Sequence, residues 1–279
     1  MALAKNHRNF LEITIILHFL SCATACQSDG KQHLQMIKNL EEGGFLKSES
    51  VRTVMKNVDR RCFVATDTYE NRSKSIDIGR TPNSVIFPAP YIHASILAAL
   101  RGTIRAGSVI LVIEQGTGYM TACLALMAGE KSVTVSSLHD NQLRTHATTN
   151  IKNWLKDEKI DNTYHLEVGK QIKLITDDAL NKMLLNTRYN AIYIRSTHGS
   201  DVYQLQMQLT RGGRLVCLQG ADKGEQQLYQ IDLLYTGKFQ RTNLAEFKNF
   251  EPDYSQTTSE EITPPRHTQH APSNQRCEM

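Results

Sequence analysis

The sequence predicts a single α/β domain with a doubly wound, mostly parallel sheet, helices before it and an antiparallel hairpin after it. Short apolar runs alternate with helical segments from Val109 onwards, which is the pattern of a parallel sheet with crossover helices. A glycine-containing turn joins the first apolar run to a helix. The chain has 279 residues, 40% of them hydrophobic, which suits one domain of ordinary size.

Two short amphipathic helices are predicted between His33 and Val58, because apolar residues recur at helical spacing on both sides of Gly43 and Gly44. Residues 62–90 are rich in Asp, Asn, Ser, Pro and Gly and have no helical period. They predict a long irregular loop, and a loop of that length in a compact domain is usually functional. A helix is expected to resume from His93 to Leu100.

The first strand of the sheet is predicted at Val109–Ile113, followed by a turn at Gly116 and Gly118 and a packed helix at Met120–Met127. In nucleotide sites, such glycines allow the backbone to approach a ligand, and the helix N-terminus offers free N–H groups. Glu114 interrupts the three-glycine pattern. We expect its side chain to face solvent unless a ligand occupies the turn.

The rest of the domain continues the alternation and ends in a hairpin. Strands are predicted at 133–135, 173–175, 190–194 and 214–218, with helices at Asp140–Leu155 and from Asp201. The hairpin strands are expected at Gln226–Tyr235 and Phe239–Phe247.

Both ends of the chain differ from the domain in composition. The first residues carry positive side chains, a short apolar stretch at 13–20 and small residues at 23–25, which predicts a signal peptide over 1–26 and a secreted protein. A membrane anchor, a mitochondrial presequence or a misassigned start, with a cytoplasmic location, are the alternatives; the stretch is too short to span a bilayer. The domain is expected over 27–251, and residues 252–279 predict a disordered tail.

Charge and cysteine placement disfavour two classes of function. Lysine and arginine total 32 against 28 acidic residues, and the net charge of +4 is spread along the chain, so nucleic-acid binding is not expected. No cysteine lies in a CxxC pair or at metal-ligand spacing from histidine, so no metal site is predicted.

The six cysteines divide into three groups, the first being Cys22, which lies in the predicted signal peptide. Cys123 and Cys217 fall in apolar runs and predict buried thiols. Cys26, Cys62 and Cys277 are left as possible disulfide formers, and a bridge between Cys26 and Cys277 is a hypothesis that depends on secretion. The chain's glycosylation sequon, residues 71–73, likewise has meaning only in a secreted protein.

Six stretches, taken together and in order, resemble the protein-L-isoaspartate O-methyltransferase family over roughly residues 32–252. They are Val58–Val64, Ile76–Gly79, Ala89–Ala94, Gly116–Cys123, Tyr189–Tyr193 and Gly212–Val216. The resemblance implies a Rossmann-like methyltransferase fold, S-adenosylmethionine as cofactor, and methyl transfer to isoaspartyl carboxylates of damaged proteins or peptides. We expect a monomer.

The resemblance also implies where the sites lie. The cofactor would lie near Glu114, Gly116, Gly118, His139, Asp140 and Asp177. The substrate would be held by the loop from Ser84 to His93, in which Pro88 stands where the family has a serine that positions the substrate carboxylate. From the residues alone, His93 is also typical of a packed, hydrogen-bonded histidine, and Asp177 of a cap for a helix beginning at Asp178.

The chain departs from the family pattern on the cofactor side as well. Val112 stands at the family's first-strand acid, Glu114 at its first glycine, and Ser136–Leu138 where an acid holds the ribose. Two functions therefore remain: an isoaspartyl methyltransferase, or a secreted relative without catalysis that serves as a binding or structural module. The lost polar groups favour the second, whereas the complete domain favours a retained ligand.

Overall fold

The structure is a computed structural model that describes residues 30–64, 69–76, 78, 85–114, 116–157, 160, 163–183, 187–196, 200–220 and 224–250. The predicted signal peptide and tail, together with Ser84, Cys26 and Cys277, lie outside these residues.

The two N-terminal helices are confirmed as α1, Lys31–Glu42, and α2, Glu49–Asn57. Each buries an apolar stripe, which includes Met36 and Leu40 in α1 and Met55 in α2. This burial fixes both helices against the domain. A short 3-10 turn, Arg60–Cys62, follows α2.

The segment predicted as one irregular loop contains a small two-stranded sheet. Strand β1, Lys74–Ile76, pairs antiparallel with β2, Val85–Phe87. The expectation was therefore wrong for these residues, because strands of three residues are too short to show a period of two. The next helix, α3, begins earlier than predicted and spans Pro90–Leu100, with proline in the first turn, where its missing N–H costs no hydrogen bond.

The main sheet has seven strands, and helices connect the parallel ones. The elements in chain order are β3 Val109–Ile113, α4 Tyr119–Ala128, β4 Val133–Leu138, α5 Asn141–Leu155, β5 Ile172–Thr176, α6 Asp177–Met183, β6 Tyr189–Ser196, α7 Ser200–Gln206, β7 Leu209–Gly220, β8 Gly224–Leu233 and β9 Phe239–Phe250. Most predicted strands are present but extend further at their ends.

The strand order is β5-β4-β3-β6-β7-β8-β9, which confirms the doubly wound sheet. Strands β3 to β7 are parallel, whereas β8 and β9 form the predicted antiparallel hairpin. The order reverses between β3 and β6, so a crevice opens at their carboxyl ends.

The sheet separates two hydrophobic clusters, so the domain has three layers. Ile110 and Val112 of β3 belong to the larger cluster with α1 to α5, and Leu111 belongs to the smaller one with α6 and α7. Trp154 of α5 is buried in the larger cluster, and its indole donates to the Asn57 carbonyl at the end of α2. In the part of the chain that the structure describes, no helix has the length and apolarity needed to cross a membrane.

The terminal hairpin is tied to the sheet and to α3 by one arginine. Arg214 of β7 forms two hydrogen bonds with the Asp232 carboxylate of β8, of 2.6 and 3.1 Å. It also donates through a terminal amino group to the Ala99 carbonyl in α3 at 2.7 Å. One guanidinium group therefore joins three elements.

Candidate functional site

The crevice between β3 and β6 is the candidate site, since ligands of doubly wound folds bind where the strand order reverses. Glu114 follows β3 directly, and Arg195 lies near the end of β6. The turn at Gly116 leads from β3 into α4, and the Pro88 turn leads from β2 into α3. All four positions border one small space.

Glu114 folds back over the glycine turn. A Cβ added to Gly116 would lie 2.8 Å from Cδ of Glu114, so the carboxyl group occupies the space that this glycine leaves open. The Glu114 side chain is buried, with only 8% of the residue exposed. The expectation that it faces solvent was wrong, because a glycine with no side chain offers an apolar recess beside it.

Burial raises the pKa of Glu114 to about 7, and the nearby Arg195 opposes this shift. Oε1 of Glu114 has no hydrogen-bond partner among the described residues, so its charge is poorly compensated. Arg195 is itself held in place, because its guanidinium donates to the Ile86 carbonyl of β2 at 3.1 Å. The carboxyl group therefore carries a mixture of charged and neutral forms near neutral pH.

The space around Glu114 is nearly filled. The cavity there has a volume of about 10 Å³ and is lined by Ile86, Phe87, Pro88, His93, Glu114, Gly116, Thr117, Tyr119 and Arg195. One water molecule needs about 10–15 Å³ of such volume, whereas small-molecule pockets span about 300–1,000 Å³. Among the described residues, this cavity beside Glu114 has room for a water molecule at most.

Gly118 has a packing role. It adopts a left-handed conformation with φ of +92°, and a Cβ there would lie 3.1 Å from the Ile151 side chain and 3.2 Å from Ala147. Both neighbours belong to α5. Because no other residue fits this conformation and this contact, Gly118 allows α4 to begin close against α5.

The polar residues at the ends of β4 and β5 form a second group. The Ser137 hydroxyl donates to the Asp177 carboxylate at 2.6 Å, and Nδ1 of His139 lies 3.4 Å from the other Asp177 oxygen. The Asp177 side chain is 44% exposed. Helix α6 begins at Asp177 itself and not at Asp178. This acid therefore remains available to solvent at the carboxyl edge of the sheet.

Asp140 lies next to this group but is engaged elsewhere. Its Oδ1 accepts hydrogen bonds from the backbone N–H groups of Gln142 and Leu143, both at 2.9 Å. The predicted helix start at Asp140 is therefore the N-cap of α5. Capping satisfies two N–H groups that have no partner within the helix.

His93 is buried and bonded to an arginine. Nδ1 of His93 lies 2.6 Å from a terminal nitrogen of Arg60, which can only donate, so Nδ1 accepts and the ring is neutral. Burial and the charges of Arg60 and Arg195 hold the pKa of His93 well below its usual value. This arrangement matches the packed, hydrogen-bonded alternative for His93.

The Pro88 turn has its polar backbone groups satisfied from within the protein. The Pro88 carbonyl accepts from Arg60 at 2.8 Å, and the Ala89 N–H donates to the Ser73 hydroxyl at 3.0 Å. The Tyr91 N–H donates to Oδ1 of Asn71 at 3.1 Å. Because proline has no N–H, the start of α3 offers no unpaired donor at residues 89–91.

Sequence reasoning missed Arg60 and Arg195. Arg60 is 1% exposed, and its guanidinium carbon lies 4.1 Å from the Phe87 ring centre. The usable signal was a charged run, Asp59–Arg61, set between the apolar residues Val58 and Cys62, since each charged residue there must be either buried with partners or turned outward. Arg195 directly follows the strand predicted at 190–194, where the residue pattern gave no comparable signal.

A family model described as protein-L-isoaspartate(D-aspartate) O-methyltransferase matches residues 31–250. The chain belongs to this family. A protein-L-isoaspartate O-methyltransferase of Caenorhabditis elegans is 29% identical over 217 residues, which cover 78% of this chain and 90% of the relative. Protein-L-isoaspartate O-methyltransferase 1 of Arabidopsis thaliana is 28% identical over 186 residues, covering 65% and 74% of the two chains.

Solved structures of protein-L-isoaspartate O-methyltransferases share the fold. One from Plasmodium falciparum, in complex with S-adenosyl-L-homocysteine, superposes with a TM-score of 0.61 at 21% identity, covering 79% of this chain and 98% of that one. A second has a TM-score of 0.60 at 16% identity, covering 79% and 66%. The fold class predicted from the sequence is confirmed.

Proposed function

We propose that this chain is a secreted, non-catalytic member of the protein-L-isoaspartate O-methyltransferase family that serves as a binding or structural module. The observation that carries the proposal is the Glu114 side chain, which fills the recess above Gly116. With it in place, the glycine turn cannot present its backbone to a ligand.

In the arrangement described, the residues around this turn leave no room beside Glu114 for S-adenosylmethionine, the cofactor that the family resemblance implies. A cavity of about 10 Å³ is far smaller than a nucleoside with an amino-acid side chain requires. The acid of the family's first strand is Val112 here, and its side chain is fully buried. Losing one charged hydrogen bond to a ligand costs about 1.5–3 kcal/mol, so the replaced groups would weaken binding further.

The substrate side supports the same proposal. Pro88 supplies no hydroxyl, and the backbone groups around it are bonded to Arg60, Ser73 and Asn71. To accept a hydrogen bond from the N–H of Ala89 or Tyr91, a substrate carboxylate would have to displace the Ser73 hydroxyl or Oδ1 of Asn71. The displaced oxygen would then lose its donor. In methyl transfer to an already ionised carboxylate, the positioning of the two reactants provides most of the rate enhancement. Loss of the groups that position the substrate therefore lowers activity directly.

Cys62 supports the secreted location. It is disulfide-bonded. Disulfides persist in oxidising compartments and are rare in the cytosol. Together with the signal-like N-terminal composition, the bond favours secretion.

A second candidate function is isoaspartyl methyl transfer itself, with S-adenosylmethionine as cofactor and isoaspartyl proteins as substrates. The half-exposed Asp177 favours it, since this carboxylate lies at the carboxyl edge of the sheet with Ser137 and His139 beside it. In this case Glu114 would have to rotate away from Gly116 when the ligand enters.

Calorimetry with S-adenosylmethionine separates the two functions. The wild-type chain is expected to show no heat of binding at millimolar ligand, and Glu114→Gly is expected to bind measurably better because it reopens the recess. Glu130→Gln is the matched control, since Glu130 lies outside the turn, after the end of α4. Wild-type binding, followed by methylation of an isoaspartyl peptide, would establish the second function and overturn the first.

A further inference from the structure

We propose that Asn71 is an N-glycosylation site and that the first sugars of its glycan lie in the groove between α1 and residues 69–71. Asn71-Arg72-Ser73 matches the acceptor sequence Asn-x-Ser/Thr. The inference rests on the secretion proposed above, but it does not depend on whether the chain binds S-adenosylmethionine.

The Asn71 side chain is placed for this modification. The residue is exposed, and the hydrogen bond described for its side chain runs through Oδ1, which accepts from the Tyr91 N–H at 3.1 Å. Glycosylation substitutes Nδ2 and leaves Oδ1 as an acceptor. The modified residue therefore keeps its hydrogen bond to the first turn of α3.

The groove next to Asn71 has room and suitable chemistry for sugars. Its volume is about 420 Å³, and it is lined by Gln32, Gln35, Met36, Asn39, Leu40, Tyr69, Glu70 and Asn71. Amide side chains both donate and accept hydrogen bonds, as sugar hydroxyl groups require. The partly exposed Tyr69 ring supplies apolar surface for the C–H face of a sugar.

The Tyr69 ring is held in position at the edge of this groove. Its hydroxyl donates to Asp59 at 2.7 Å, and the Arg61 guanidinium lies 5.1 Å from the ring centre. Gln35 and Asn39 are also linked, by a hydrogen bond of 2.8 Å. The groove is thus formed in the absence of a ligand, which limits the entropy lost when a glycan settles in it.

Ser73 determines when the modification occurs. Its hydroxyl, which an acceptor sequence needs, is buried and accepts the Ala89 N–H at 3.0 Å. An enzyme cannot reach it in the folded protein. We infer that the glycan is added before this segment packs against α3, as in a chain that is modified during translocation.

The glycan is transferred to Asn71 from a lipid-pyrophosphate-linked oligosaccharide, which is the donor. A bond forms between Nδ2 of Asn71 and the anomeric carbon of the first sugar, and the bond from that carbon to the pyrophosphate oxygen breaks. Nδ2 loses one proton, and the lipid pyrophosphate leaves with the bonding electron pair.

The test uses the full chain, with its own N-terminal segment, expressed in secretory mammalian cells. The secreted protein is expected to lose the mass of one glycan on treatment with peptide-N-glycosidase F, which converts the glycosylated asparagine to aspartate. Asn71→Asp should abolish the glycan while keeping the acceptor for Tyr91, and Ser73→Thr should retain it. A secreted chain without a glycan, or a chain that is not secreted, overturns the inference.

Hydrogen–deuterium exchange tests the position of the glycan. Enzymatic removal leaves an aspartate in place of Asn71, which preserves Oδ1, so the Asn71→Asp variant is the matched sugar-free control. Amides of α1 beside the groove are expected to exchange more slowly in the glycosylated form than in either sugar-free form. Equal exchange would overturn the placement in the groove. Neither result bears on the calorimetric test of cofactor binding, so the two proposals can fail separately.

Discussion

Glu114 places an ionisable group in a recess that only a glycine two residues later could create. The cost of burying the charged form is reduced because the carboxyl can take up a proton. Arg195 lies close enough to oppose the rise of its pKa but not to cancel it. The acid–base state of this one side chain therefore depends on pH in the neutral range.

Glu114 is predicted to make stability fall as pH rises from about 4.3 to about 7. Its pKa is about 4.3 when unfolded and about 7 when folded. In this interval the folded state binds more protons than the unfolded state, so the free energy of unfolding decreases with pH and levels off above 7. The difference is at most about 4 kcal/mol.

Urea unfolding of wild type and Glu114→Gln across this pH range measures the effect. The glutamine variant should lack this part of the pH slope, whatever its overall stability. Glu130→Gln serves as the control, since its carboxyl lies outside the recess and should leave the slope unchanged. Parallel curves for wild type and Glu114→Gln would mean that Glu114 is charged and solvated throughout.

At the level of single residues, the sequence indicated where the site lies but not how its side chains are arranged. Aligned with the family, Glu114 could be recognised as a replaced glycine, yet its burial depends on a backbone recess that no residue pattern encodes. Arg60 was missed for a similar reason. Its partners are the carbonyl of Pro88 and the ring of His93, both distant in sequence.

Among the elements, the terminal hairpin is attached to the sheet by the backbone pairing of β7 with β8 and by the ion pair of Arg214 and Asp232. Asp232→Asn removes a carboxylate that accepts two hydrogen bonds from Arg214, both side chains being less than a quarter exposed. We predict a loss of about 1–3 kcal/mol in the free energy of unfolding, because the guanidinium is left partly buried without its counter-charge.

The matched control is Glu167→Gln, which breaks the exposed pair of Glu167 and Lys170. Exposed pairs of this kind contribute about 0.5 kcal/mol or less. Chemical denaturation of the two variants side by side checks the comparison. Equal losses would show that the hairpin is held by its backbone pairing alone.

Elements with strong periodicity were predictable, and short ones were not. The helices α1, α2 and α5 and the central strands follow from apolar spacing, with ends that shift by a few residues because capping decides them, as Asp140 does for α5. Strands β1 and β2 have three residues each, and their pairing joins positions on either side of residues 77–84. Such pairing depends on tertiary contacts.

For the whole molecule, the reactivity of the cysteine thiols tests the disulfide assignment most directly. We predict that peptide mapping without reductant finds Cys62 in a disulfide, with a partner other than Cys123 or Cys217, which are buried and not disulfide-bonded. Those two should react with iodoacetamide only after denaturation, since burial raises the pKa of the Cys123 thiol. With Cys22 removed in the proposed signal peptide, Cys26 and Cys277 are the remaining candidates for the partner of Cys62. The same map therefore decides between a Cys62 bond and the hypothesised Cys26–Cys277 bridge, since one excludes the other. Labelling of Cys62 without reductant would contradict the prediction.

The fold class of the whole molecule was predictable from the sequence, but the order of the strands in its sheet was not. Alternating strands and helices predict a doubly wound sheet, and the order of motifs indicated the family. The reversal between β3 and β6 could not be read from local pattern, since strand order depends on how the crossovers pack. The strand order creates the crevice between β3 and β6, and the buried Glu114 side chain fills the space beside Gly116 in it.

Trp154 is the only tryptophan in the chain, and it is buried where α5 meets the end of α2. Its fluorescence therefore reports whether the N-terminal helices are docked, while circular dichroism reports on the sheet and all the helices. A difference between the two signals during unfolding would reveal an intermediate in which the N-terminal helices have separated from an otherwise folded domain.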